Sequence, residues 1–401
     1  MKHFDAIVLG LGAMGSSAVY QLAKRGSRVL GLDQYSPPHD RGSSHGETRI
    51  TRLAIGEGAH YSPLALRSHE VWREIERKTE ASLLTQIGCL VISSPAKTSF
   101  THVEGFFQNT VAAAREHGIV HELLDAKEIR RRYPPFRIGN DELGYFEKDA
   151  GFLRPEACIR AELALARQHG ALIHTGEKAL AFHPSSGRVT VTTDQAVYGA
   201  DRLILSAGPW LPGLLGGTLD ACFRVFRQAL FWFDIGSQAA TFSPRCFPVF
   251  IWELAGKPQG IYGFPAIDGA EGGIKVATEH YGSITDASTV DRNVAPAEIE
   301  AMHRDYVEPY LAGVSDRCIK TTTCLYTVTS DFGFVIDSHP DSERVLVVSP
   351  CSGHGFKHSP AIGEAIAEVV IDGETRFDLS AFSARRFAAS AQVASGASLH
   401  G

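Results

Sequence analysis

The sequence predicts a chain of mixed class: a parallel α/β domain interleaved with a second, antiparallel α+β domain. Three observations carry that expectation. The first 33 residues alternate strand, glycine turn, helix and strand. Residues of about 217 to 322 form alternating, aromatic-rich strands with a single helix, and the α/β texture returns after them. The composition suits a compact soluble enzyme: of 401 residues, 44% are hydrophobic and 21% charged. At roughly 150 residues per domain, that length is enough for two to three units. The 39 basic and 45 acidic residues leave a net charge of −6 without a long run of one sign. Nucleic acid is therefore not the expected partner, because phosphate binding needs a clustered basic surface. No stretch approaches the ~18 apolar residues of a membrane span, and the N-terminus lacks the pattern of a secretion signal. A cytoplasmic enzyme without membrane partners is expected.

The first element is the apolar run Phe4–Leu9, of strand length, which turns at Gly10-Leu11-Gly12-Ala13-Met14-Gly15. A helix follows over 16–24, with Val19, Leu22 and Ala23 on one side and Gly26 suited to its C-terminal cap. The second strand spans 28–32 and delivers Asp33. Each part of this unit has a physical reason. Gly10 allows a tight turn, Gly12 lets backbone approach a pyrophosphate, and Gly15 lets the helix pack against the strand. The helix N-terminus favours phosphate charge, and an acid about twenty residues on can accept hydrogen bonds from ribose hydroxyls. Dinucleotide binding is the reading; the motif alone leaves FAD and NAD both open.

Residues 34–58 are rich in Pro, Gly, Ser, His and Arg and form a long loop at the ligand end of the sheet. A helix is expected from Pro63 to Thr79, a strand over 86–93, and helices near 100–117 and 125–133. Pro155 suits the first turn of a helix running to about His169. Strands follow at 171–174 and 189–191, and a buried strand at 202–205 should rejoin the first sheet. In the antiparallel region the expected strands are 229–233, 260–264 and 273–277, with a helix near 297–310. The chain closes with a strand over 345–349, a glycine turn at Ser352-Gly353-His354-Gly355, and a helix over 356–371.

Seven cysteines, Cys89, Cys158, Cys222, Cys246, Cys318, Cys324 and Cys351, are scattered and contain no Cys-x-x-Cys pair. Neither a disulfide framework nor a metal site is indicated.

Four separated segments together carry a family resemblance. The first is Gly42-Ser43-Ser44-His45-Gly46-Glu47-Thr48-Arg49-Ile50-Thr51-Arg52, followed by Gly56-Glu57-Gly58 and the Tyr61 to Arg67 stretch. The second is Ile261-Tyr262-Gly263-Phe264-Pro265 with Gly273-Ile274-Lys275. The third is Cys324-Leu325-Tyr326-Thr327 with Ile336-Asp337 and His339-Pro340. The fourth is Ser352-Gly353-His354-Gly355-Phe356-Lys357 with Ser359. In order and spacing these resemble the sarcosine oxidase family of flavin-dependent amine oxidases, nearest its monomeric sarcosine and N-methyltryptophan oxidase branch, within the D-amino acid oxidase superfamily.

The resemblance implies a Rossmann-like FAD-binding domain with an interleaved antiparallel-sheet substrate domain. Residues 1–85, 146–216 and 323–390 are assigned to the FAD-binding domain, and 86–145 and 217–322 to the substrate domain. It implies FAD held by Gly10, Gly12, Gly15, Asp33, Thr48, Gly353, Gly355 and Phe356, and joined covalently through Cys324, with Cys351 as runner-up. Lys275 is expected near the flavin, where a positive charge assists O2 reduction. His45 and Arg49 are expected beside the flavin, and Tyr262 and Tyr326 along the substrate cavity. Arg52 and Lys357 are expected to bind the substrate carboxylate, Arg by a bidentate grip and Lys as a point charge.

The sequence also departs from the family. Relatives place a histidine four residues after Lys275, where this chain has Glu279, with His280 next. A one-residue bulge would bring His280 into the site; without one, Glu279 faces the substrate. The expected reaction is oxidation of a secondary amino acid, N-methyl or cyclic, with O2 as partner, giving an imine that hydrolyses and H2O2. A dehydrogenase passing electrons to a carrier, an NAD(P)-linked enzyme and a non-catalytic flavin-binding regulatory protein stay open at this point. A monomer is expected.

Overall fold

The computed structural model describes residues 2–99 and 102–387. The chain opens with β1 (Lys2–Leu9), α1 (Ala13–Lys24), β2 (Val29–Asp33), β3 (Arg49–Thr51), α2 (Ser62–Thr79), β4 (Leu84–Gln86) and β5 (Cys89–Ser93). It continues through α3 (Phe106–Glu116), β6 (Glu122–Asp125), α4 (Ala126–Arg132), β7 (Leu143–Glu147), β8 (Gly151–Leu153) and α5 (Pro155–Gln168). Next come β9 (Leu172–Thr175), β10 (Ala179–Pro184), β11 (Val189–Thr193), β12 (Val197–Leu205), α6 (Gly217–Asp220) and β13 (Phe223–Phe233). The last stretch holds β14 (Val249–Trp252), β15 (Ile261–Phe264), β16 (Ile274–Thr278), β17 (Ile284–Thr285), α7 (Pro296–Met302), β18 (Cys318–Thr329), β19 (Val335–His339), β20 (Ser342–Ser349) and α8 (Ser359–Asp372).

Two large sheets divide the work. In the first, β1 pairs in parallel with β2 and β12, and β2 in parallel with β9. The C-terminal half of β12 takes β20 in parallel, while its N-terminal half takes β11 antiparallel. The expected strand at 202–205 thus rejoins the first sheet, as the end of a longer strand. Helices α1, α2, α5 and α8 cover one face through a core that includes Leu22, Trp72, Ile159 and Ile362. Along α2, Leu64, Val71, Trp72 and Ile75 are buried, each stabilising the fold by about 1.5–3 kcal/mol relative to exposure. Gly363 permits a close crossing of α8 over α1, because a Cβ there would lie 2.6 Å from the Ser17 Cβ.

The second sheet is nine-stranded and mostly antiparallel, in the order β17-β13-β16-β15-β14-β5-β7-β6, with β18 paired to β13. Its face is packed by a phenylalanine-rich cluster that includes Phe136, Phe233, Phe247 and Phe250. A third, three-stranded sheet, β3-β8-β4, holds Arg49, and Arg52 directly follows β3. The fold is the Rossmann-like sheet with a separate antiparallel sheet that the sequence predicts.

The structure corrects several boundaries. The expected strand over 86–93 is divided at Gly88, whose φ is 84°. Leu84–Gln86 joins the three-stranded sheet and Cys89–Ser93 the nine-stranded one. The helix expected near 100–117 starts at Phe106, after Gly105 in the left-handed region; residues 100 and 101 lie outside the described residues. The helix expected over 297–310 is α7 and then a single π turn, His303–Val307. Two long strands, β13 and β18, exceed their sequence signal: β13 begins six residues before Ala229, and β18 was not expected at all. β18 also runs across the expected junction at 322/323.

Candidate active site

A cleft of about 320 Å³ lies at the C-terminal ends of β1 and β2, where open α/β sheets bind ligands. It runs from Asp33, Gln34 and Glu177 past Gly10, Gly12, Met14, Ser43 and Ser44 to Arg49, Tyr326, Cys351, Gly353 and Phe356. Backbone builds most of it. Gly10 has φ of 87°, and a Cβ there would come within 2.6 Å of the Ser206 carbonyl oxygen. At Gly15 a Cβ would lie 1.8 Å from the Gly10 carbonyl oxygen, and at Gly355 it would lie 1.5 Å from that of Pro350. The N-terminus of α1 faces the cleft with no acidic residue in its first turn, and Ser44 Oγ accepts the Ala13 N–H at 3.3 Å. Asp33 is buried at the end of β2, its two oxygens accepting the N–H groups of Leu11 and Tyr35, each at 2.8 Å.

A second cavity of about 100 Å³ adjoins the cleft, and Arg49, Tyr326, Gly353 and Phe356 line both. Its own walls are side chains: Arg52, Glu57, His102, Phe106, Tyr262, Lys275, Glu279, Cys324, His354 and Lys357 among them. Lys275 projects from β16 and donates from Nζ to the carbonyl oxygens of Gly46 at 2.8 Å and Thr48 at 3.2 Å. Its ammonium also lies over the rings of Phe264 and Trp232. Burial, assisted by the Arg49 charge, pushes its pKa well below the usual lysine range.

Arg52 is buried, with its guanidinium 2.5 Å from Glu57 Oε2, donating to the Ala54 carbonyl at 2.7 Å and seated over Phe106. Lys357 Nζ donates to the His354 carbonyl oxygen at 2.5 Å. Burial lowers the Lys357 pKa to about 7, against the opposing pull of Glu57. His102 sits between two carboxylates, with Nδ1 3.5 Å from Glu57 and Nε2 2.8 Å from Glu279. Burial alone would lower its pKa; Glu279 and Glu57 outweigh that and raise it to about 9. Cys324 faces Gln228 across the β13–β18 ladder and is buried, which raises its thiol pKa, with Arg49 and Lys275 pulling the other way.

The sequence matches the FAD dependent oxidoreductase family over residues 5–369. It is 39% identical to the monomeric sarcosine oxidase of Streptomyces avermitilis, covering 96% of this chain and 98% of that one. The N-methyl-L-tryptophan oxidase of Salmonella dublin is 31% identical over 96% of this chain and 99% of its own. Among solved structures, NikD, an unusual amino acid oxidase of nikkomycin biosynthesis, superposes with a TM-score of 0.82 at 25% identity, covering 96% and 98% of the two chains. The chain belongs to the FAD-dependent oxidoreductases. Within them it is closely related to monomeric sarcosine oxidase and N-methyltryptophan oxidase.

The cleft fits FAD. Bare glycine backbone and the α1 N-terminus suit the pyrophosphate, and the lone pairs left on Asp33 suit ribose hydroxyls. A Cβ at Gly15 or Gly355 would displace backbone, so neither position tolerates a side chain. Of the residues expected at the flavin, Gly10, Gly12, Asp33, Gly353, Gly355 and Phe356 line the cleft. Gly15 lies beneath the turn. Thr48 lines the smaller cavity instead, its hydroxyl 3.2 Å from Lys275 Nζ.

His45 lines neither cavity. It is buried, its pKa is lowered to about 4 mainly by that burial, and its Nε2 has no hydrogen-bond partner among the described residues. Glu279 lines the cavity, whereas His280 is exposed, with Nδ1 3.0 Å from Gln259 Nε2. The bulge that would have turned His280 inward is missing: β15 and β16 pair without a register shift from Phe264–Lys275 to Ile261–Thr278. Sequence reasoning gave no role to Glu57, His102, Phe106 or Tyr281. Glu57 stands within a motif the sequence displays, Gly56-Glu57-Gly58; nothing local marks His102, which enters from a turn with φ of 42°.

Proposed function

We propose that this protein is an FAD-dependent oxidase of secondary amino acids, N-methyl or cyclic, that uses O2 and releases H2O2. The observation that carries the reading is the meeting of Arg52 and Lys357 in a cavity that holds Lys275 and opens onto the FAD cleft. Arg52 and Lys357 would bind the substrate carboxylate, with Glu57 holding the guanidinium in place. The cavity's lining carries more basic than acidic groups, Arg49, Arg52, Lys275, Lys357 and His102 against Glu57 and Glu279, which suits an anionic group such as a carboxylate. The amine must then be neutral, so that its lone pair can assist loss of the neighbouring hydrogen.

FAD, when bound, would supply the redox chemistry, a two-electron oxidation at the carbon next to nitrogen with O2 as the final acceptor. The chain's part is to orient the substrate and keep bulk water out, through Tyr262, Tyr326 and Phe106. Lys275 holds its proton weakly because it is buried; a negative charge developing on O2 beside it favours the ammonium. Water would hydrolyse the imine of an N-methyl substrate to an aldehyde and a primary amine, and would open a cyclic imine to one amino-carbonyl compound.

Cys324 is the proposed attachment point for the flavin, supported by its place on the wall between Tyr326, Lys275 and Arg49. Denaturing the purified protein in acid checks this. Yellow colour should stay with the pellet and leave it in the Cys324→Ala variant; colour retained in that variant would move the assignment to Cys351. For the reaction itself, H2O2 should form with sarcosine, N-methylalanine, proline or pipecolate. No H2O2 from any of them would end the oxidase reading.

A further inference from the structure

Glu279 stands apart from the other charged groups of the cavity. Its side chain is 19% exposed, against 3% for Arg52 and Glu57 and 7% for His102. Among the described residues its ion-pair partner is His102, and no arginine or lysine pairs with it. Tyr281 also hydrogen-bonds to it. An ionised carboxylate offers about four acceptor positions, so these bonds leave acceptor capacity toward the cavity. The imidazole takes one of these positions and fixes Glu279, 2.8 Å away.

Position then says what Glu279 meets. Lys275 and Ala277 share one face of β16, with Tyr262 opposite Ala277; Glu279 follows the strand's last residue, Thr278, and lines the same cavity as Lys275. Four residues of chain separate the two, a span of at most roughly 14 Å. One imidazole ring separates it from Glu57, the partner of Arg52. A substrate seated on Arg52 and Lys357 shares the cavity with Glu279, the more exposed of its two carboxylates. The cavity of about 100 Å³ has room for roughly seven to ten water-sized groups, more than sarcosine fills.

Resting on the oxidase reading above, we propose that Glu279, held by His102 and Tyr281, is a specificity-determining residue that accepts a hydrogen bond from an N–H or O–H donor in the substrate side chain. The substrate class is then a secondary amino acid with a polar, donor-bearing side chain, a hydroxyl or an ammonium. A hydrogen bond to a charged group changes affinity by about tenfold or more.

The test uses holoenzyme and two readouts. One is kcat/KM for N-methylserine and Nα-methylornithine relative to N-methylalanine. The other is the Kd, from the shift of the flavin visible spectrum, of 3-hydroxypropionate and β-alanine relative to propionate. In the native enzyme the donor-bearing member should win both comparisons by about tenfold. In Glu279→Leu each ratio should fall to within about twofold. Glu279→Gln should keep a hydroxyl preference and lose the ammonium preference, which separates the two donors. Ratios near one in the native enzyme, or ratios that survive in Glu279→Leu, overturn the assignment of Glu279. Absence of turnover with every substrate instead overturns the oxidase reading, and the Kd ratios still judge Glu279.

Discussion

The FAD cleft and the substrate cavity share a wall and are built on opposite principles. The cleft is shaped by what is missing, since Gly10, Gly15 and Gly355 each leave a place that a single Cβ would fill. The cavity is shaped by charged side chains drawn from β3 and its following loop, the turn before α3, β16 and the loop before α8. Backbone sites depend on local chain geometry, whereas side-chain sites depend on which distant segments the fold brings together. The first should fail by loss of cofactor and fold, the second by loss of one ligand or one step.

Four changes would break or sharpen that contrast, in descending order of effect. Gly15→Val should prevent normal FAD uptake and lower stability by about 3 kcal/mol or more, because the new Cβ would overlap the Gly10 carbonyl. The flavin-to-protein absorbance ratio and the thermal midpoint would register it; a variant with full flavin content would refute the backbone account of the cleft. Lys275→Met should slow reoxidation of the reduced enzyme by O2 by roughly 10²–10³-fold while reduction by substrate falls far less, as measured by stopped flow. Lys357→Met should raise the Kd for acetate by about 10–100-fold without releasing FAD, which places Lys357 in the cavity's function and not the cleft's.

The smallest effect is one of pH. Burial lowers the Lys357 pKa to about 7, so the charged form is lost as pH rises through that value. Acetate stays ionised there, and its affinity should fall by up to about tenfold per pH unit above that point, since binding requires the ammonium. The dependence should vanish in Lys357→Met. Stability runs in the opposite sense. A lysine whose folded pKa lies below its unfolded one releases its proton on folding between about 7 and the ordinary lysine range, so its contribution to stability grows as pH rises through that window.

The same division decides what could be read from the sequence. The turn from Gly10 to Gly15 and the acid at Asp33 were legible because every requirement lies within one strand-turn-helix-strand unit. The parallel sheet and the antiparallel region were legible from periodicity, although β18 was not, because its run from Cys318 to Thr323 shows no apolar–polar alternation. Arg52 and Lys357 could be paired only through family resemblance, since nothing in the spacing brings them together. His102 could not be found at all: its position between Glu57 and Glu279 is set by the packing of three segments. The choice between Glu279 and His280 turned on whether the β15–β16 ladder is regular, which single-sequence alternation does not fix.

One cavity is proposed to bind a secondary amino acid by Arg52 and Lys357 beside an FAD that hands electrons to O2. An anaerobic titration of the holoenzyme with N-methylalanine, followed by admission of air in the same cell, tests it most directly. The visible absorbance of the oxidised flavin should be lost without O2 and return with air, with one H2O2 released per flavin reoxidised. A flavin that stays oxidised with N-methylalanine and with every other secondary amino acid tried, or that is bleached yet not restored by air, would contradict it.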